Sequence, residues 1–169
     1  PADIILGGDS AGGGLALGLL HSIIAEGLPV PAGVVTYSPW TDLTASGASL
    51  QFNANADPLL PARRIAEIGA EYLNGADPQT PSASPLFGEF PNAPPVYIHV
   101  GSTEVLLDDA RRMAERLREF GARVELQIDD QTPHVLPMFF GAAPESTRAI
   151  IDGARFIDSL GTAVSTKDN

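Results

Sequence analysis

The sequence contains no cysteine, which excludes disulfide bonds, thiolate metal sites and thiol redox chemistry. It also lacks an apolar run of the roughly 18 to 20 residues that a membrane-spanning helix needs, and no basic segment precedes an apolar stretch at its start. Basic residues are few: 10 Lys and Arg stand against 21 Asp and Glu, for a formal net charge of −11. This charge repels phosphate backbones and anionic headgroups, so we expect no nucleic-acid partner.

The 169 residues are 44% apolar, which is enough for the core of one soluble globular domain. The chain begins with Pro1 instead of methionine, which suggests an artificial start, a cleaved product or a fragment of a longer protein. We expect residues 1–160 to form one folded unit and residues 161–169 to be a flexible tail.

Hydrophobic periodicity predicts strands that alternate with helices. Such an order forms parallel βαβ units with right-handed crossovers, so we expect an α/β fold: a mainly parallel sheet with helices on both faces. Residues 41–60 and 76–95 show no regular period, and long loops of this sort are uncommon unless they are functional. The predicted strands are 3–7, 33–40, 96–101 and 122–128, and the predicted helices are 11–25, 61–75, 108–121 and 144–160.

One serine stands among glycines in GGDSAGGG, residues 7–14, where the first predicted strand is followed by the first helix. The frame Gly8-x-Ser10-x-Gly12 is typical of a nucleophile elbow, because glycines on either side let the backbone turn sharply and expose the hydroxyl. The N–H of Ala11, at the helix start, would then face a developing oxyanion. Alternatively, Ser10 is an N-cap in a glycine-rich turn.

A serine nucleophile needs a base, and the sequence has three histidines. His21 falls inside the first predicted helix and His99 inside a strand of apolar residues, so we interpret both as structural. His134 follows the fourth strand in the loop DDQTPHVLP. Because active sites of open parallel sheets lie at the carboxyl ends of the strands, His134 is the candidate base.

The base in turn needs an acid to orient it, and the loop after the third strand offers Glu104, Asp108 and Asp109. Any of the three preserves the order serine, acid, histidine that is found in α/β-hydrolases. Asp108 and Asp109 have another explanation, since carboxylates at the start of a helix act as caps and interact favourably with its dipole.

These residues lie within a longer pattern of GDSAGG, SPWTDL, ADPLL, YLNGADP, SPLFG and PPVYIHVGSTEVLLDDARRMAERL. With His134 after them, these segments resemble the carboxyl-terminal part of the bacterial hormone-sensitive-lipase-like (family IV) esterases, which are α/β-hydrolases. The resemblance runs from Asp3 to about Phe156. In that family the catalytic acid opens a D-P-L-x-D-E segment some thirty residues before the histidine. The matching position here is Glu104, in EVLLDD, where glutamate replaces aspartate.

The resemblance implies the carboxyl-terminal half of an α/β-hydrolase fold and hydrolysis of short-chain acyl esters through an acyl-enzyme. Ser10 would be the nucleophile, His134 the base, Glu104 its orienting acid and the Ala11 N–H an oxyanion-hole donor. It implies no cofactor and a bacterial, cytoplasmic protein. It also reveals two departures: the family's upstream His-Gly-Gly-Gly loop, which completes the oxyanion hole, and its amino-terminal cap are not in this sequence.

Other interpretations follow from those departures. The chain could be a relative that binds small molecules without catalysis, or an inactive fragment that needs its amino-terminal half. A homodimer or a complementing amino-terminal segment are the protein partners we would expect. The Asp pairs at 108–109 and 129–130 are more typical of helix starts and solvated turns than of a metal site, so we expect no metal.

Overall fold

The computed structural model describes residues 4–164, which form a four-stranded, fully parallel sheet in the order β1-β2-β3-β4. Helices cover both faces, as predicted for an α/β fold. The strands are β1 (Ile5–Asp9), β2 (Gly33–Tyr37), β3 (Val96–Gly101) and β4 (Val124–Asp129). The helices are α1 (Ala11–Ala25), α2 (Ser49–Phe52), α3 (Ala62–Leu73), α4 (Leu107–Glu119) and α5 (Pro144–Val164), with 3₁₀ turns at Pro85–Phe87 and Leu136–Phe139.

The two faces of the sheet have separate cores because successive side chains along a strand point in opposite directions. On one face, Val34 and Ile98 pack with apolar side chains of α1 and α4, such as Leu17 and Met113. On the other face, Val35 and Tyr97 pack with Phe156 of α5. Because β2 and β3 are buried on both faces, they appear in the sequence as nearly continuous apolar runs, interrupted by the buried Thr36 and His99, instead of alternating ones.

Several predicted boundaries were wrong, and the second strand ends at Tyr37 instead of residue 40. The first strand is Ile5–Asp9 and not 3–7, because the backbone of Gly7 and Gly8 continues the ladder with β2; we had interpreted those glycines as the end of the strand. The predicted loop at 41–60 contains the short helix α2. Helix α5 continues to Val164, into the predicted tail at 161–169. Residues 165–169 lie outside the described residues, so a flexible tail there stays a prediction.

Strand β1 lies at one edge of the sheet described here and pairs on one side, with β2. Next to it, α1 leaves Leu15 and Leu19 exposed over 55% and 50% of their surface, one helical turn apart. This face of α1 therefore presents apolar side chains to solvent. Within residues 4–164, no helix has the length and apolarity needed to cross a bilayer.

The start of α1 packs so closely on the chain after β2 that one of its glycines has no room for a side chain. A Cβ on Gly14 would lie 2.0 Å from the carbonyl oxygen of Trp40, whereas a Cβ on Gly12 would meet nothing within 4 Å. Of these two glycines on the same helical turn, Gly14 therefore excludes a side chain and Gly12 has space for one.

We expect Gly14→Ala to destabilise the fold by about 1–3 kcal/mol, because backbone atoms must move to relieve the clash. Gly12→Ala is the matched control and should be neutral or stabilising by up to about 1 kcal/mol, since alanine has the higher helix propensity. Urea denaturation of the two variants measures the difference. Equal free energies of unfolding would show that the packing of α1 is looser than described.

Candidate active site

Ser10 lies in the sharp turn between β1 and α1, with φ 54° and ψ −123°. Such a positive φ is strained for a residue other than glycine. The turn is fixed by two backbone hydrogen bonds: the Ser10 N–H donates to the Tyr37 carbonyl at 2.9 Å, and the Ser10 carbonyl accepts from the Trp40 N–H at 2.9 Å. Gly8 is required here, because a Cβ would lie 2.3 Å from the Gly12 carbonyl oxygen.

The hydroxyl of Ser10 does not cap the helix. Ser10 occupies the N-cap position of α1, yet its side chain makes no hydrogen bond to the first-turn N–H groups. Its Oγ lies instead 2.9 Å from Nε2 of His134. The capping interpretation of this serine is therefore wrong, and the strained turn presents the hydroxyl to an imidazole.

His134 lies in the loop after β4, and only 5% of its surface is exposed. Its Nδ1 is 2.7 Å from Oε2 of Glu104, so the imidazole lies between the serine hydroxyl and the glutamate carboxylate. This distance lies within the range of about 2.6 to 3.2 Å that a hydrogen bond between an acid and a base requires. The three side chains form a continuous hydrogen-bonded chain from three strand ends.

The Glu104 carboxylate is fully buried, and its two oxygens have different partners. Oε2 faces His134, while Oε1 accepts from the Gly101 N–H at 2.6 Å and from the Ser38 hydroxyl at 2.8 Å. The Asn53 side chain donates to the Glu104 carbonyl at 2.8 Å. A buried charge needs such partners, so these contacts hold the carboxylate in one orientation.

Asp108 and Asp109 face away from His134, toward the segment after β2. Both lie in the first turn of α4, but the N-cap is Leu106 and no side chain caps the helix, so our capping interpretation was wrong. Asp109 Oδ2 accepts from the backbone N–H groups of Thr41 and Asp42 at 2.8 and 2.9 Å. Asp108 accepts from the N–H of Ser49 at 2.9 Å. The pair holds the loop that precedes α2.

The other two histidines have the structural surroundings we expected. His99 is fully buried in β3, with Nε2 at 3.2 Å from Oδ2 of Asp129. His21 contacts the backbone of Glu89 through Nδ1. Among the described residues, no three His, Asp or Glu side chains are grouped as metal ligands would be.

An apolar pocket of about 170 Å³ opens beside the start of α1, where Ser10 ends the turn. Ala11 and Leu15 of α1 line it together with Trp40, and Ile68 and Tyr72 of α3 line the opposite side. Ala11, the residue directly after Ser10, therefore borders a cavity that suits a small apolar group.

The sequence and the fold match known proteins over most of the chain. Residues 1–138 match the profile of a family described as having the alpha/beta hydrolase fold. A crystal structure of an esterase from the bacterial hormone-sensitive lipase family superposes with a TM-score of 0.90 at 41% identity, covering 93% of this chain and 53% of that one. The chain belongs to the bacterial hormone-sensitive-lipase-like family of α/β-hydrolases.

Two curated relatives have the same relationship to the chain. An acetyl-hydrolase of Streptomyces hygroscopicus is 38% identical over 93% of this chain and 52% of its own length. An esterase of Acinetobacter venetianus is 35% identical over 95% of this chain and 53% of its own length. The chain thus spans about half the length of the relatives that it matches.

Three polar residues around Glu104 were not found from the sequence: Ser38, Asn53 and Asp57. Asn53 and Asp57 lie in the predicted loop at 41–60, and both hold the turn that carries Glu104, Asp57 by accepting from the Val105 N–H at 2.9 Å. The sequence signal that could have pointed to Asn53 and Asp57 is the length of this loop, which has no regular hydrophobic period. Ser38 follows β2 directly, at the sheet edge where we placed the site.

Burial shifts the acid–base behaviour of the carboxylates behind the site. It raises the pKa of Asp109 to about 7, against the two backbone hydrogen bonds that favour the charged form. Burial alone would also raise the pKa of Asp42, but hydrogen bonds from Ser46, Thr44 and Arg112 outweigh it and lower that pKa. The charged form of Asp109 therefore destabilises the folded state relative to the unfolded chain.

We expect Asp109→Asn to flatten part of the pH dependence of stability. The unfolded chain releases this proton near pH 3.8 and the folded chain near pH 7. The folded state therefore binds the extra proton in that window, and its stability falls as the pH rises through it. Between pH 4 and pH 7, the free energy of unfolding of the variant should rise relative to that of the wild type by on the order of a few kcal/mol. Urea titrations at several pH values, with Asp108→Asn as the control, measure it; parallel curves for all three proteins would contradict the assignment.

Proposed function

We propose that this chain carries the reacting groups of a carboxylic ester hydrolase. The observation that carries the proposal is the hydrogen-bonded chain of Ser10, His134 and Glu104, with contacts of 2.9 and 2.7 Å. This is the arrangement in which a base activates a hydroxyl nucleophile and an acid orients the base. The esterase names of the relatives support the same activity.

The proposed reaction passes through an acyl-enzyme. Ser10 Oγ attacks the ester carbonyl carbon while His134 Nε2 takes the hydroxyl proton, giving a tetrahedral intermediate. As this intermediate collapses, the imidazolium returns the proton to the leaving alcohol, and the acyl group stays on Ser10. A water molecule, deprotonated by His134, then attacks the acyl-enzyme and releases the carboxylic acid and the free serine.

Glu104 acts through the imidazole. Its Oε2 accepts the Nδ1–H of His134, which leaves Nε2 free to take the serine proton and stabilises the imidazolium that forms. Glutamate in place of the family's aspartate serves the same role, because either carboxylate can accept this hydrogen bond.

The developing oxyanion would be held by the Ala11 N–H. Ala11 is the first residue of α1, where backbone N–H groups have no acceptor within the helix and the helix dipole favours negative charge. We propose that further donors come from a segment outside these 169 residues. The half-length match to the relatives supports this division.

We propose short-chain acyl esters as the substrates. The apolar pocket beside Ala11 has a volume of about 170 Å³, which fits an acyl group of a few carbons and not a long chain. The acetyl-hydrolase name of one relative supports a small acyl group. Hydrolysis rates for p-nitrophenyl esters from acetate to decanoate measure the preference, and the expected maximum lies at acetate to butyrate; a maximum at decanoate would overturn this part of the proposal.

A fluorophosphonate probe should label Ser10, because the strained turn and the neighbouring imidazole activate its hydroxyl. Peptide mapping by mass spectrometry identifies the labelled residue, and Ser10→Ala should abolish the label. Ser38 and Ser84 are fully buried and should remain unmodified. Labelling at either of them would overturn the proposal.

Glu104→Gln should lower esterase turnover by about 10²- to 10⁴-fold while the fold is retained, since an amide cannot stabilise the imidazolium. Asp108→Asn is the control and should change the free energy of unfolding by around 1 kcal/mol with little effect on turnover, because Asp108 bonds to the Ser49 backbone and not to His134. Steady-state kinetics and thermal unfolding of both variants separate the two roles. A larger loss of turnover in Asp108→Asn would move the acid to that residue.

A further inference from the structure

Ser38 lies at the centre of the candidate site without facing the nucleophile. It is fully buried directly after β2, and its N–H donates to the carbonyl of His99 in β3. Its hydroxyl donates to Oε1 of Glu104 at 2.8 Å and accepts from the N–H of Val135 at 3.0 Å. One hydroxyl therefore bonds both to the acid and to the residue that follows the histidine.

The backbone around this hydroxyl is strained. Ser38 and Val135 both have φ 51°, and a β-branched residue such as Val135 is a genuine outlier in that region. Val135 is buried, so without Ser38 its N–H would lose the acceptor that the structure gives it. Strained residues of this kind persist where surrounding contacts over-determine them, and they cluster at functional sites.

The two hydrogen bonds of Ser38 both constrain the hydrogen bond between Glu104 and His134, one on the glutamate side and one on the histidine side. The bond to Oε1, together with the one from the Gly101 N–H, restrains rotation of the Glu104 carboxylate, so that Oε2 faces His134. The bond to Val135 fixes the backbone that carries the imidazole. Because the hydroxyl has one proton to donate and lone pairs to accept, both contacts form together.

We propose that Ser38 is a positioning residue for ester hydrolysis, which acts through the hydrogen bond between Glu104 and His134. The inference rests on the proposed function of the site. It makes a specific claim: the hydroxyl contributes to the reactivity of Ser10 only while Glu104 is present as a carboxylate. A merely structural hydroxyl would contribute regardless of residue 104.

The test is the second-order rate constant for fluorophosphonate labelling of Ser10 in the full chain, which requires no turnover. Ser38→Gly removes the hydroxyl and accommodates the positive φ, and it should slow labelling by about 10- to 100-fold. Ser38→Cys keeps the side-chain size but donates weakly, so it should slow labelling in the same direction if the glycine variant does not fold. Thr36→Val removes another buried hydroxyl of β2, which bonds the Tyr97 carbonyl, and should change the rate less than about 3-fold.

A double-mutant cycle decides between positioning and structure. In the Glu104→Gln background, Ser38→Gly should change the labelling rate by less than about 3-fold, because the carboxylate through which it acts is gone. If the two losses instead multiply, Ser38 is structural and the inference is wrong. Wild-type rates in Ser38→Gly would also overturn it while leaving the proposed function intact. A wild-type chain that is not labelled at Ser10 would overturn the proposed function and this inference with it.

Discussion

The close approach of β1, α1 and the chain after β2 is the constraint on which the site depends. Gly8 lies against the Gly12 carbonyl and Gly14 against the Trp40 carbonyl, at separations that exclude any Cβ. This contact forces the turn at Ser10 to be sharp, which places the residue in its strained conformation. The same contact brings the end of β2, and with it Ser38, beside the end of β1. The glycines thus set the distance between Ser10 and the groups that hold Glu104 and His134.

Two buried carboxylates, Glu104 and Asp109, form the second layer of this arrangement, and both accept hydrogen bonds from backbone N–H groups. Glu104 accepts from Gly101, and Asp109 accepts from Thr41 and Asp42. Backbone donors have fixed positions, so a carboxylate bound by them has a defined orientation, whereas a lysine or arginine partner would add its own flexibility. Asp109 therefore fixes the loop that follows the site, and Glu104 fixes the imidazole within it.

Ser10 and His134, which meet in the candidate site, could be singled out from the sequence because local signals mark them. These signals are glycines at two-residue spacing around a serine, and a histidine in a loop after a strand. Glu104 was one of three candidates until the resemblance selected it. The supporting residues Ser38, Asn53 and Asp57 could not be assigned, since each bonds to chain that is distant in sequence and only the fold brings the partners together. The end of β1 was misplaced for a related reason: glycine has no side chain to indicate a strand, yet its backbone pairs like any other.

Three strained residues, Ser10, Ser38 and Val135, lie along the hydrogen-bonded chain, and each is stabilised by a contact with a neighbouring segment. The Ser10 N–H donates to the Tyr37 carbonyl at the end of β2, and the Ser38 N–H donates to the His99 carbonyl within β3. The Val135 N–H donates to the Ser38 hydroxyl. Each strained conformation thus depends on the packing of the adjacent strand, so the parallel register of the sheet and the geometry of the site are not independent. The carboxyl ends of the strands therefore position Ser10, Glu104 and His134 relative to one another.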